Sequence, residues 1–172
     1  MNFDLAQIPD IPALHALVES AYRGESAKQG WTHEADLLDG QRTDAKALRA
    51  IITDKRQVIF LAKKGPAIAG CVQLSNIGNG LAYLGLLTVD PALQAAGLGK
   101  ELLLQSEQYV REHWQAEAIE MTVIRQRADL IAYYERRGYV LTGEHRPFPH
   151  GDARFGLPKS SKLEFAVLRK PI

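Results

Sequence analysis

Apolar residues gather in three short, closely spaced runs, Val58 to Lys63, Ile68 to Leu74 and Ala82 to Val89, separated by the turn formers Gly65-Pro66 and Gly78-Asn79-Gly80. Runs of this length rich in Val, Ile, Leu and Phe predict strands, and connections this short predict an antiparallel meander. A different spacing follows. Leu102, Ser106, Tyr109, Val110 and His113 recur three and four residues apart, which predicts one face of a helix over Gly97 to Trp114.

The remaining pattern fills in around these. Phe3 to Ile8 reads as a strand, and Asp10, between Pro9 and Pro12, as the N-cap of a helix through Leu14, Leu17, Val18 and Tyr22 that Gly24 ends. Gly24 to Thr43 is Gly-rich and mixed in charge, with Trp31 at its middle and a short helix expected at Glu34 to Leu38, so it reads as an ordered surface excursion. Asp44 caps a helix through Ala47, Leu48, Ile51 and Ile52. Ile119 to Ile124 is a strand, Ala128 to Arg137 a helix stopped by Gly138, and Tyr139 to Thr142 and Leu163 to Leu168 are the last strands, with a long loop from Pro147 to Lys162. The order is β, α, α, β, β, β, α, β, α, β, β without repeat or low-complexity tract.

Composition narrows the function. The 172 residues fit one domain, taken as residues 1–172, and 46% apolar with 24% charged residues is ordinary for a packed protein. Lys plus Arg is 21 against 20 for Asp plus Glu, so no global field draws the chain to nucleic acid or an anionic membrane. A polyanionic ligand must therefore be held by local geometry. One cysteine, Cys71, excludes an intrachain disulfide, and a cytoplasmic location is the default expectation. The N-terminus has no secretory pattern and no apolar run approaches bilayer length.

The chemistry concentrates at Leu84 to Lys100. A strand ends at Val89, Asp90-Pro91 turns the chain, and Gln94-Ala95-Ala96-Gly97-Leu98-Gly99-Lys100 enters the long helix. The first turn of a helix leaves N–H donors unpaired at the positive end of the macrodipole, so this loop suits a phosphate or pyrophosphate. A Walker loop fails at Gln94 and Glu101, and a dinucleotide fingerprint fails at Leu102.

With Val-Asp-Pro before it, the spacing Gln94, Gly97, Gly99 resembles the signature of the GNAT (GCN5-related N-acetyltransferase) superfamily, and the order of elements matches along most of the chain. The resemblance implies an α/β fold: one domain with a mixed, mostly antiparallel sheet of six to seven strands, about four flanking helices, and strands splayed at the cofactor cleft. It also implies acetyl-coenzyme A as co-substrate, its pyrophosphate on Gln94 to Lys100 and its pantetheine amides paired with the backbone of Leu87 and Val89. An N–H near Val89 would then serve as oxyanion donor.

Arg127 to Tyr139 is similar to the superfamily's second signature and places Tyr134 on the tyrosine that protonates the departing thiolate. Tyr133 falls on a leucine, which implies packing. Arg127 stands where asparagine is common, and a phosphate contact or a solvated helix start both fit it. The early excursion covers the acceptor side in this superfamily, which makes Trp31, Glu34 and Asp36, with Asp39 and Arg42, an acceptor wall whose carboxylates suit a cationic amine. His150, Asp152, Arg154 and Phe155 form a second candidate wall.

Other constellations are weak. His15, His33, His113, His145 and His150 show no metal spacing, no Gly-x-Ser-x-Gly elbow exists, and Cys71 lies in an apolar strand, so neither a metal nor a covalent intermediate is expected. Arg125, Arg127, Arg136 and Arg137 lack the interleaved aromatics of a nucleic-acid patch. The function expected is direct transfer of acetyl from acetyl-coenzyme A to a primary amine, on a small molecule or a peptide, through a tetrahedral intermediate. Tyr134 is the acid, and water or Glu34 the base. The rival is a non-catalytic acyl-coenzyme A sensor. The acceptor's identity and a homodimeric state stay open.

Overall fold

The computed structural model describes residues 1–23, 27–31, 34–148, 156–159 and 162–172. The candidates His33, His150, Asp152, Arg154 and Phe155, and the Asp39 side chain, lie outside the described residues. The three apolar runs form β3 (Gln57–Lys64), β4 (Ala67–Gly78) and β5 (Leu81–Val89), an antiparallel meander turned at Gly65-Pro66 and at Gly78-Asn79-Gly80. β1 (Asn2–Leu5), β6 (Ala118–Ile124), β7 (Val140–Pro147) and β9 (Glu164–Pro171) complete a sheet of order β1-β3-β4-β5-β6-β9-β7. Only β5 and β6 run parallel. Four helices accompany them among the described residues: α1 (Ile11–Tyr22), α2 (Ala45–Thr53), α3 (Leu98–Trp114) and α4 (Ala128–Glu135). None is long and apolar enough to cross a membrane.

Several boundaries differ from the sequence reading for identifiable reasons. Glu34 to Leu38 is not a helix. Its end forms β2 (Leu38–Asp39), which pairs with β8 (Leu157–Pro158) because Leu38 is buried against Ile124, Phe148 and Leu163. β1 stops at Leu5, and Ile8 to Asp10 coil into a short 3₁₀ turn. Asp10 makes no side-chain cap for α1; its carboxylate accepts the Gln7 N–H at 2.8 Å and sits 3.6 Å from Lys63 Nζ. Asp44 does cap α2, accepting the Ala47 N–H at 2.7 Å. His113 is exposed and stacks on Tyr109 at 4.0 Å, while Leu103 takes a buried place on α3. The strand expected at Tyr139 to Thr142 begins one residue later and runs to Pro147 along β9, at the edge of the sheet.

The two sheet faces follow the two-residue period. Ile59 and Leu61 pack with α1 and α2 on one face, and Phe60 and Ala62 join the α3 and α4 side on the other. β5 breaks the period. Cys71 is opposite Thr88 but Gln73 is opposite Gly85, so β5 carries one extra residue, and Leu86 takes a left-handed φ of 53°. Before the bulge Ala82 and Leu84 face α3; after it Leu87 and Val89 do, and Leu86 turns to the α1 face. Beyond Tyr83 the parallel pairing with β6 also ends, since only Leu81 to Tyr83 match Ala118 to Glu120. The two strands then diverge and open a cleft in the middle of the sheet.

Candidate active site

The glycine loop sits at the mouth of that cleft. Gly97 is the N-cap of α3 with φ 89°, and Ala95 is also left-handed at 68°. Alternating backbone signs turn successive N–H groups outward into an anion-binding concavity. A Cβ built on Gly97 meets nothing within 4 Å, so the space there is open to a ligand. Gly99 is different, because its Cβ would fall 2.7 Å from the Tyr133 hydroxyl, so a larger residue there would make that side chain shift. The loop cavity is lined by Gln94, Ala95, Gly97, Leu98 and Gly99 together with Leu87, Val89 and Tyr134. Ala96 and Lys100 are exposed at the rim and do not line it. These donors and this open cradle fit the pyrophosphate of coenzyme A.

Two adjoining cavities continue inward, and Leu87, Leu130 and Tyr134 line all three. They form one passage from the loop, across the splayed strands, to a cleft between β5 and β6. Tyr134 is its hub. Its ring is buried at 6% exposure, edge-on to Tyr133 and Tyr139, and its hydroxyl makes no hydrogen bond with the described residues. Burial, helped by the neighbouring Tyr22, pushes its pKa well above the ordinary phenol value, so it carries its proton at neutral pH. Tyr22, on α1, crosses the passage and donates its hydroxyl to the Leu87 carbonyl. One acceptor of the strand expected to pair with pantetheine is therefore shared with a side chain. Burial pushes the Tyr22 phenol up to about 12.

The early excursion divides between the two ends of the passage. Trp31 lies at the loop end of the passage and does not line the inner cleft: its ring is tilted 5.2 Å from that of Tyr133, and it lines the loop cavity. Gly30 lies against Gln94, where a Cβ would fall 2.1 Å from Gln94 Oε1. Asp36 is exposed and lines none of these three cavities. Glu34 does line the inner cleft, yet its Oε2 accepts from Arg23 at 2.8 Å and its Oε1 from Arg127 at 3.4 Å. Burial alone would raise its pKa, but Arg42, Arg127 and Arg23 together hold it below the usual carboxylate range. A carboxylate so held is a poor proton acceptor, which removes the basis for Glu34 as general base. Arg127 is buried on Glu34 and not solvated; it lines the inner cleft and also the small cavity that Val89 and Gln94 line, but not the loop cavity itself.

The structure adds residues that the motifs did not supply. Arg137 lies 3.4 Å over the Tyr133 ring, its Nη1 donates to the Tyr133 carbonyl at 2.8 Å, and it lines the loop cavity. The available signal was the four-residue spacing from Tyr133, a helical cation–π distance. Tyr133, expected only to pack, presents its face to Trp31 and Arg137 at that cavity. The arginines of the suspected patch disperse, with Arg125 on Glu164 at 2.9 Å. Cys71 is buried beneath the bulge, its thiol pushed up to about 12 by burial. Cys71→Ala is expected to leave acetyl transfer within about twofold of the parent, with intersecting initial-rate patterns; parallel lines that vanish in the variant would require an acyl-thiol intermediate.

Comparison with known proteins agrees with this geometry. A profile of the Acetyltransferase (GNAT) family matches residues 14–139. No functionally curated protein matches the chain. Among solved structures, smu.2055 from Streptococcus mutans superposes with a TM-score of 0.75 at 12% identity, covering 99% of both chains. The ribosomal-protein-S18-alanine N-acetyltransferase from Escherichia coli gives 0.71 at 16% identity, over 99% of this chain and 93% of that one. A protein assigned as a streptothricin acetyltransferase from Bacillus anthracis, solved in complex with acetyl coenzyme A, gives 0.59 at 22% identity over 72% and 67%. The likeness shows the shared fold, and the family match over residues 14–139 shows more: this chain belongs to the GNAT acetyltransferase family, which uses acetyl-coenzyme A as co-substrate.

Proposed function

We propose that the protein is an N-acetyltransferase that moves acetyl from acetyl-coenzyme A directly to a primary amine. The observation that carries this reading is Tyr134, which lines all three cavities and whose hydroxyl is unbonded among the described residues. Acetyl-coenzyme A supplies an acetyl group activated as a thioester. The chain's loop N–H groups hold the diphosphate end, and the open edge of β5 orients the rest. The transfer first forms the C–N bond at the acetyl carbon and then breaks the C–S bond; Tyr134 gives its proton to the leaving sulfur, and water takes the proton shed by the amine. Water fills this role because the oxygens of Glu34 are engaged by arginines.

Release of coenzyme A thiol across a panel of amines, amino acids and peptides tests the reading. Amine-dependent release supports it. Tight acyl-coenzyme A binding without turnover on any acceptor would favour the sensor reading. Gly97→Val is expected to weaken coenzyme A affinity at least tenfold by calorimetry while the protein stays folded. No protein atom lies within 4 Å of the added Cβ, but the side chain projects into the cradle and disfavours the left-handed φ of 89°. Unchanged affinity in the folded variant would refute the cofactor assignment.

A further inference from the structure

We propose that the acceptor is a small amine that also carries a carboxylate, as an amino acid does, and that Arg42 receives that carboxylate in the cleft between β5 and β6. This rests on the acetyltransferase reading and names its substrate class. Among the described charged side chains that line the cleft, two are arginine, Arg42 and Arg127, and one is Glu34. Glu34 is already committed to Arg127 and to Arg23 behind it, so the cleft offers an incoming ligand no unengaged carboxylate. A cationic acceptor therefore finds little to bind, contrary to what the acidic residues of the excursion imply.

Arg42 is built to meet an anion. Its backbone N–H and that of Thr43 both donate to Glu19 Oε1, at 2.7 and 2.9 Å, which pins the segment to α1. Its guanidinium is half-buried, lies 5.2 Å from the centre of the Tyr22 ring, and makes no hydrogen bond or salt bridge with the described residues, although its charge acts on nearby Glu34 through space and the single carboxylate is shared with Arg23 and Arg127. A planar fork of donors held on an aromatic face matches a carboxylate in two parallel hydrogen bonds. Tyr22 also reaches Leu87 on the passage, so an acceptor anchored on Arg42 lies beside the strand that leads to Tyr134. The same positive charge favours the neutral form of the amine, which is the nucleophile.

The test compares phenylalanine, leucine and alanine, each beside its amide and its decarboxylated amine, by thiol release. Coenzyme A binding to the parent is measured first. The expected result is a kcat/KM at least tenfold higher for the carboxylate-bearing member of a pair, a ratio that falls to near one in Arg42→Ala and is partly kept in Arg42→Lys. Calorimetry with the preferred amino acid on the coenzyme A complex should show binding to the parent and at least tenfold weaker binding to Arg42→Ala. Melting curves check folding, and Arg42→Gln carries the comparison if the alanine variant is unfolded. A parent ratio near one, a ratio unmoved by the substitutions, or acetylation of plain amines alone overturns this inference and leaves the acetyltransferase reading standing. A parent that neither binds coenzyme A nor releases thiol with any amine overturns the reading beneath it.

Discussion

Tyr134→Phe lowers kcat for acetyl transfer by roughly 10²-fold or more, the scale of losing a positioned general acid, with KM for acetyl-coenzyme A nearly unchanged. The substitution removes one oxygen from a ring that is otherwise buried at 6% exposure. Because the hydroxyl makes no hydrogen bond with the described residues, its loss strands no buried partner, and the melting temperature should stay near that of the parent. A packing role predicts the reverse, full turnover with earlier melting. Thermal melting and steady-state kinetics on one preparation therefore separate the two roles. Burial keeps the phenol protonated well above neutral pH, so the alkaline limb of the parent's pH profile should not come from this group.

Glu34→Ala destabilises the fold by about 3–5 kcal/mol, because it leaves buried arginines without the carboxylate they face. The Glu34 side chain is 9% exposed and is bonded to Arg23 and Arg127, from elements far apart in sequence. Asp36→Ala, by contrast, alters an exposed turn and should change stability by no more than about 0.5 kcal/mol. Urea unfolding of both variants checks this. The pH dependence has a definite sign. The folded-state pKa of Glu34 is lowered, so its stabilisation is fully present above the ordinary carboxylate pKa and is lost as pH falls through the lowered value. The gap between parent and Glu34→Gln should close in acid over that window. A gap that is absent at neutral pH would show that the ion pairs contribute nothing to the fold.

The cofactor end was legible in the sequence because local chain chemistry decides it. A helix start leaves donors unpaired wherever it occurs, and Gly97 needs its left-handed φ for reasons internal to the turn. The spacing of Gln94, Gly97 and Gly99 and the position of Tyr134 before Gly138 are one-dimensional facts. The meander, the long α3 and the helix ending before Gly138 follow equally from periodicity and turn residues.

The acceptor end was not legible, because what a charged side chain does there depends on its partners. Glu34 reads as a free carboxylate along the chain, yet folding places it between Arg23, eleven residues before it, and Arg127, ninety-three after it. Trp31 reads as part of the same wall as Glu34, but a short excursion is long enough to reach both ends of the passage, and Trp31 lands on Tyr133. The β5 bulge has no marker in Leu84 to Val89 stronger than Gly85, although it decides which of Leu86 and Leu87 faces the cleft. By itself, then, the sequence determined the main strands and four helices and their order, the glycine loop at the start of α3 and the place of Tyr134 on α4, all set by contacts within a few residues, while it missed β2 and β8. The tertiary structure alone decided that β5 leaves β6 after Tyr83, which partners Glu34 takes and that Arg42 is exposed to the cleft. Those depend on pairings between segments that only the closed chain brings together, where burial sets the sign and strength of each charge's interactions.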